Sequence, residues 1–333
     1  KREILQKVRE MSKMIAKNEK GIARANAAFD RNKMRQMVVD TIVKQIERGS
    51  TKWLKPFAGG ESSLPRSISS GRNYRGINVW WLWAKASESG WSNEWGTFNA
   101  WRKRGASLAE RTGSDEYFGV ERGSEGTPVF FWKILTITER DRDGDEIEKR
   151  IPLLKWFTVF NRDQTNLPAP EVPEDNNEVT DPEAATLAIY EDNEITLKHG
   201  GNRAFYSPSR DFVSVPKRTY FHSSESYLST LLHEAVHWTG HGSRLNRQIE
   251  NTWGGDDYAF EELIAEMGAA MLTVEVGIEY DHLTIDNHAA YLGNWLQGLK
   301  SDGGAQALWR AASAAQKAAD LLLGYEPEQE ASE

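Results

Sequence analysis

The sequence contains no cysteine in 333 residues. This absence excludes a disulfide framework, a thiolate metal site and a cysteine nucleophile, and it is typical of the reducing cytoplasm. Hydrophobic runs are short, and none approaches the ~20 residues that a membrane-spanning helix requires. The charged first residues, KREILQKVREMSKMIAK, do not have the pattern of a secretory signal peptide. We therefore expect a cytoplasmic protein that does not enter a membrane.

Charge and tryptophan are divided unequally along the chain. Residues 1–165 carry 31 Lys and Arg against 21 Asp and Glu, which is +10, whereas the remainder carries 10 against 28, which is −18; together they give the net −8. Nine of the thirteen tryptophans precede residue 160. Single-stranded nucleic acid is bound by cations that neutralise phosphates and by rings that stack on bases, so the first half has a suitable composition.

Two domains of α+β class are expected from the length and from the order of the periodic segments. Residues 166–183 contain four prolines and six acidic residues, which is typical of a solvated linker. The first domain shows helical periodicity over 34–49 and strand-like runs at 128–137 and 151–160. The predicted divisions are a helical arm at 1–33, a nucleic-acid-binding domain at 34–165, the linker, a mixed α/β domain at 184–325 and a disordered tail at 326–333.

The strongest chemical signal is the pentapeptide HEAVH. Apolar residues recur at helical spacing around it, so His233 and His237 lie one turn apart on one face of an amphipathic helix. Two imidazoles at this spacing can reach one divalent ion, and the adjacent Glu234 can take a proton from a water molecule beside that ion. The pattern predicts a zinc site of the metallopeptidase type, with manganese or cobalt as alternatives.

A third metal ligand is needed, and two candidates are present. In the helical segment YAFEELIAEMGAAML, Glu262 is placed to bind the metal and Glu266 to hydrogen-bond the second nitrogen of a ligand histidine. Glu261 points ~100° away on such a helix, and we expect it to be solvated. The alternative ligand is His241, four residues after His237. The segment DFVSVP is typical of the edge strand that aligns a peptide in zinc peptidases.

Contacts to nucleic acid are predicted at three sites that combine arginine or lysine with an aromatic ring. Tryptophans 80, 81 and 83 are expected in the core instead of on a binding surface. The predicted contact residues are Lys52 and Trp53, then Arg72, Tyr74 and Arg75, and finally Arg102, Lys103 and Arg104.

Several motifs of the chain resemble the ArdC-like antirestriction proteins. The second half resembles their zincin-type metallopeptidase domain through FYSPSRDFVSVP, SYLSTLLHEAVHWTGHGSRLNR and YAFEELIAEMGAAML. The first half resembles the single-stranded-DNA-binding domain that accompanies it, through WLKPF, NYRGINVWWLW, WGTFNAWRKRGA and KWFTVFNRDQ. The resemblance implies a protein of a mobile element or phage that binds single-stranded DNA and helps incoming DNA survive host restriction.

The functional hypothesis is therefore a zinc metallopeptidase, specific for an unidentified protein substrate, joined to a single-stranded-DNA-binding domain. A second hypothesis is a non-catalytic protein that coats DNA and whose metal is structural or vestigial. A third is a peptide-binding domain that recruits a partner without turnover.

Overall fold

The computed structural model describes residues 33–44, 63–140, 146–168, 181–247, 256–278 and 303–325. The contacts divide the chain after Asp40, and the described residues from Thr41 onward belong to one compact unit. Residues 33–44 are helical and are called α1, in agreement with the helix predicted over 34–49 as far as this range extends. Of the predicted arm at 1–33, only Lys33 lies within the described residues, and the predicted tail at 326–333 lies outside them.

The N-terminal half of the compact unit contains a four-stranded sheet in the order β1-β2-β4-β3. β1 pairs with β2 in parallel, and the other neighbouring strands are antiparallel. β3 and β4 form a long hairpin whose register runs from Thr127 opposite Val159 to Arg140 opposite Glu146. Both strands extend beyond the predicted runs: β3 continues to Arg140, and β4 begins at Glu146. The strands are β1 (Arg66–Ser67), β2 (Glu94–Gly96), β3 (Thr127–Arg140) and β4 (Glu146–Asn161).

Two helices, α2 (Ile77–Ser89) and α3 (Phe98–Thr112), pack on this sheet. The α2 tryptophans are all at most 5% exposed, which agrees with their predicted place in the core. Asn78 of α2 exchanges two hydrogen bonds with the backbone of Phe130 in β3, at 2.6 and 2.8 Å. α3 begins at Thr97, whose side chain accepts a hydrogen bond from the N–H of Ala100.

The described part of the C-terminal half begins with α4 (Pro182–Asp192), which is capped by Asp181. The last residues of the predicted linker at 166–183 therefore belong to a helix. Residues 169–180 are not described. A three-stranded sheet follows in the order β5-β7-β6. The predicted edge strand is β7, and this prediction is wrong because β7 pairs in parallel with β5 and antiparallel with β6. The strands are β5 (Leu197–His199), β6 (Phe205–Ser207) and β7 (Phe212–Val215).

The described residues of this half contain three further helices: α5 (Ser224–Thr239), α6 (Asp256–Glu275) and α7 (Gly304–Leu322). α6 packs against both α5 and α7, so every residue from 261 to 274 is buried. At the α5–α6 contact, a Cβ added to Gly268 would lie 2.8 Å from a methyl group of Val236, and the two helices therefore approach closely. Over the described ranges, no helix is long and apolar enough to cross a membrane.

The loop before α2 joins the N-terminal half to the C-terminal helices. The Asn73 amide donates to Glu275 at the end of α6 at 3.2 Å, and the N–H of Gly76 donates to Gln316 of α7 at 2.9 Å. Arg75 forms an ion pair with the buried Asp320 of α7. The rings of Phe130 and Trp309 add an edge-to-face contact, with 5.0 Å between centroids. These contacts cross the boundary predicted at the linker.

Candidate metal centre

The first two groups of the candidate metal centre come from α5. Leu231, Leu232, Ala235 and Val236 are fully buried and fix the orientation of the helix. Ser223 caps it, because its side chain accepts a hydrogen bond from the N–H of Ser226 at 3.1 Å. His233 and His237 therefore project from one face, one turn apart, as the sequence predicts.

Three side chains converge on one point of this face. The Nε2 atoms of His233 and His237 are 3.1 Å apart. The carboxylate of Glu262, from α6, lies 3.5 Å from the first Nε2 and 3.4 Å from the second. Tetrahedral coordination at ~2.0–2.2 Å separates ligand atoms by roughly 3.3–3.6 Å. Both distances to Glu262 lie in this range and the two Nε2 atoms are slightly closer, so the three groups can hold a divalent ion after a small shift. The described residues contain no other such cluster of metal-binding groups.

The other ring nitrogen of each histidine faces a second carboxylate. His233 Nδ1 is 3.3 Å from Glu266, where the sequence places a hydrogen-bonding partner. Burial opposes protonation of His233, but the charge of Glu266 and the hydrogen bonds of Glu262 and Glu266 outweigh it and raise the pKa of His233 well above its ordinary value. A carboxylate at Nδ1 orients the ring and directs Nε2 toward the metal position.

Glu261 holds the corresponding position beside His237, and the expectation that it is solvated is wrong. Its side chain is 6% exposed, and its Oε1 lies 3.3 Å from His237 Nδ1. Arg247 binds it with two hydrogen bonds, at 2.8 and 2.9 Å, and also donates to Thr239 Oγ1 and to the carbonyl of Val236. Burial raises the pKa of Glu261, but the hydrogen bonds from Arg247 and His237 lower it overall.

The acidic groups dominate the charge of the centre. Burial raises the pKa of Glu262, but its hydrogen bonds with both histidines lower it well below the ordinary value. Burial opposes protonation of His237, yet its bonds to Glu261 and Glu262 raise its pKa to about 9. Four buried carboxylates, those of residues 234, 261, 262 and 266, face one guanidinium and two imidazoles. This excess of negative charge suits a bound cation.

Glu234 lies beside the convergence point on the same helix. It is 6% exposed, and its Oε2 has no hydrogen-bond partner, whereas the nearby backbone of Tyr206 in β6 favours the ionised form of the carboxylate and lowers its pKa. Burial raises the pKa of Glu234 above its ordinary value, against the charges of the two histidines. A buried carboxylate with one oxygen unsatisfied and a raised pKa is suited to accept a proton.

The segment after α5 ties the centre to the sheet. Arg244 donates to both oxygens of Asp211, to the Tyr206 hydroxyl at 2.9 Å and to the carbonyl of Trp238 at 2.7 Å. Its guanidinium also lies 3.7 Å from the centroid of the Trp238 ring. Arg244 and Arg247 are the two arginines of RLNR, and neither was predicted to have a role in the site. Their spacing after HEAVH is the signal that could have identified them.

The other predicted residues lie elsewhere. His241 bonds Ser243 through Nδ1 at 2.7 Å and is not part of the cluster. Tyr74 is half-buried, and burial raises its pKa to about 12, while Arg75 is paired with Asp320. Three of the remaining predicted DNA contacts are exposed: Arg72, Arg102 and Lys103. Arg104 lies 4.0 Å from Glu94. The last two, Lys52 and Trp53, are outside the described residues.

Comparison with known proteins matches two families to successive parts of the chain. Residues 184–314 match the zincin-like metallopeptidase family, and residues 32–160 match the N-terminal domain of the anti-restriction factor ArdC. The crystal structure of the antirestriction ArdC protein from the R388 plasmid superposes with a TM-score of 0.65 in its metal-free and Mn(II)-bound forms. The metal-free chain is 38% identical, over 87% of this chain and 97% of that one.

Two curated relatives extend the comparison. The uncharacterized protein y4eC of Sinorhizobium fredii (strain NBRC 101917 / NGR234) is 31% identical over 90% of this chain and 94% of its own length. A DNA primase TraC of Escherichia coli is 31% identical over 88% of this chain. The chain spans only 20% of the length of that primase and 27% of the length of a second TraC primase of Escherichia coli.

Fold and site thus define a two-domain α+β protein, with an ArdC-type N-terminal domain and a zincin-like metallopeptidase domain that carries a cluster for a divalent metal. The chain belongs to the ArdC family of antirestriction proteins. The resemblance that the sequence motifs indicated is confirmed.

Proposed function

We propose that the protein is a zinc-dependent metallopeptidase whose N-terminal half binds single-stranded DNA, and that it protects the incoming DNA of a mobile element or phage in the cytoplasm. The observation that carries the peptidase assignment is the cluster of His233, His237 and Glu262 beside the unpartnered oxygen of Glu234. Imidazoles and one carboxylate are the ligands of catalytic zinc in His₂Glu sites, while manganese or cobalt remain alternatives to be tested by metal content.

Each residue has a defined part in the proposed hydrolysis. A divalent ion, when bound, polarises the substrate carbonyl and makes water a stronger acid. Glu234 Oε2 takes the proton of the attacking water and then delivers it to the nitrogen of the leaving amine. Glu266 and Glu261 hold the histidine rings in position through Nδ1, and Arg247 keeps Glu261 ionised.

The sheet supplies a place for an extended peptide. Because β7 is paired on both sides, the strand edges are those of β5 and β6. β6 is the one that contacts Glu234, through the backbone of Tyr206. We infer that a substrate peptide pairs with β6 by main-chain hydrogen bonds, which brings its scissile bond to Glu234.

The DNA-binding part of the proposal is supported by composition and by exposed cations. Residues 1–165 carry a net charge of +10, and Arg102 and Lys103 are exposed on α3. Affinity that depends on phosphates falls steeply with salt, with a slope of about −0.7 per phosphate contact for single strands. Titration of a labelled oligothymidylate at several salt concentrations tests this part directly.

The test of the peptidase is Glu234→Gln, with Glu225→Gln on the same helix as the matched control. Metal content should be unchanged in both variants, whereas peptide cleavage should fall by ~10²–10⁴ in Glu234→Gln alone. Cleavage is measured with and without single-stranded DNA. Equal cleavage by wild type and Glu234→Gln would exclude the mechanism.

Protection of DNA in vivo separates enzyme from coating protein. If protection requires turnover, it is lost in Glu234→Gln and retained in Glu225→Gln. Full protection by Glu234→Gln would support the non-catalytic coating function with a structural metal.

A further inference from the structure

An open cavity of about 680 Å³ lies in the N-terminal half, far along the chain from the metal cluster. Its volume falls within the ~300–1,000 Å³ of pockets that hold small organic ligands. It lies between the start of α3, the loop at 117–124 and the end of β4. The walls include Phe98, Tyr117, Arg122 and Phe160.

Aromatic rings form most of the apolar wall. Phe98 is 45% exposed and Tyr117 is 57% exposed, values that are high for such large apolar side chains. The rings of Phe98 and Phe160 are 6.3 Å apart in an edge-to-face arrangement. A flat, apolar ligand with a polar rim could cover these rings and remain open to solvent at its edge.

The frame that carries these rings is fixed by packing and by hydrogen bonds. Gly105 of α3 touches the 117–119 loop so closely that an added Cβ would lie 1.9 Å from the carbonyl oxygen of Phe118. The Asn166 side chain accepts from the N–H of Gly119 at 2.8 Å and donates to the carbonyl of Tyr117 at 2.7 Å. A site held in this way costs little ordering free energy when it binds.

Two arginines lie near these rings. Arg122 lines the cavity, and Arg102 is one helical turn after Phe98, on the same face of α3. Throughout the described ranges, neither arginine has an acidic partner. Glu121 also lines the cavity and precedes Arg122 in the chain, so its negative charge offsets that of Arg122, and Arg102 is the better partner for a phosphate. Rings beside unpaired cations are complementary to a base and its neighbouring phosphate.

We propose that this cavity receives one nucleobase of single-stranded DNA, stacked on Phe98 and Tyr117, with the adjacent phosphate at Arg102. The proposal rests on the DNA binding proposed above and locates it. It also places the strand away from Arg75, whose guanidinium is occupied by Asp320.

Fluorescence anisotropy of a labelled oligothymidylate on the full chain tests the proposal. Phe98→Leu and Tyr117→Leu keep apolar bulk but remove the ring, so each should weaken binding by roughly 5- to 100-fold with an unchanged salt slope. Phe98→Tyr should restore affinity. Arg102→Gln should instead reduce the salt slope by about 0.7. Tyr220→Leu is the matched control, because Tyr220 is 73% exposed in the C-terminal half. Thermal melts verify that each variant folds.

The outcomes separate this inference from the proposed function. If wild type does not bind the oligonucleotide, the DNA-binding function and the cavity assignment both fail. If wild type binds and the Phe98 and Tyr117 variants bind as the Tyr220 control does, the cavity assignment alone fails. Equal affinity for thymidine monophosphate and for the oligonucleotide would also overturn it, because a strand site gains from the flanking phosphates.

Discussion

Substitution of Arg247 tests how the metal centre is supported. Arg247 and Glu261 are 11% and 6% exposed, and Arg247→Ala leaves the Glu261 carboxylate buried without its cation. Loss of one partner of a buried ion pair costs ~3–5 kcal/mol. We expect the lower end, ~3 kcal/mol, because His237 still faces Glu261 at 3.3 Å. Urea unfolding of the metal-free protein measures the loss.

The same substitution should weaken metal binding by ~10- to 100-fold, since Glu261 no longer holds the His237 ring in one orientation. A double-mutant cycle with Glu261→Gln isolates the pair: the double variant should recover ~1–3 kcal/mol relative to the sum of the single losses. Arg203→Ala, at an exposed arginine, is the control. Additive losses, or an unfolding midpoint equal to that of wild type, would refute this account.

Three further predictions concern other parts of the fold. Gly105→Ala should destabilise the protein by ~1–3 kcal/mol in urea unfolding, because its Cβ would meet the backbone of Phe118. Arg75→Ala should cost ~1–3 kcal/mol, since Asp320 is only 8% exposed and would lose its cation. Asp211 has its pKa lowered from 3.8 to about 2, chiefly by the hydrogen bond from its arginine partner, so its stabilisation is present above pH ~4 and is lost as the pH falls toward 2. The difference in unfolding free energy between wild type and Asp211→Asn should therefore shrink over that range.

A control for Gly105→Ala is available in the chain. Gly113→Asn changes a glycine whose added Cβ meets nothing within 4 Å, at a φ of 65° that asparagine tolerates. Asn is also suitable at position 211, where φ is 50°. If the stability of wild type and of Asp211→Asn varied identically with pH, the stabilisation assigned to ionised Asp211 would be contradicted. An unchanged unfolding midpoint in Arg75→Ala would contradict a stabilising role for the Arg75–Asp320 ion pair.

Periodicity predicted the part of the site that is local in sequence. The apolar spacing around HEAVH placed both histidines on one face, and the spacing of Glu262 and Glu266 placed both carboxylates on the facing side of the next helix. The sequence could not show that α6 is covered on both sides, by α5 and α7. A helix that is buried on all sides has no solvated face, so Glu261 is buried although it points away from Glu262.

The order of the strands could not be predicted from the sequence either. An alternating or apolar run indicates a strand, but it does not show whether one or both edges are paired, because pairing depends on segments distant in sequence. β7 is therefore central although DFVSVP looked like an edge strand. The partner of Arg75 is 245 residues away, at Asp320, and no local pattern connects the two.

The contact between the loop before α2 and the ends of α6 and α7 has a practical consequence for dissecting the protein. A fragment that begins at residue 184, where the zincin-like domain starts, would retain the metal ligands but lose Asn73, Arg75 and Phe130. Their partners Glu275, Asp320 and Trp309 would then be exposed to solvent. Since α6 supplies Glu262, absence of the proposed peptidase activity in such a fragment would reflect a loosened scaffold. It would not test whether DNA activates the proposed peptidase.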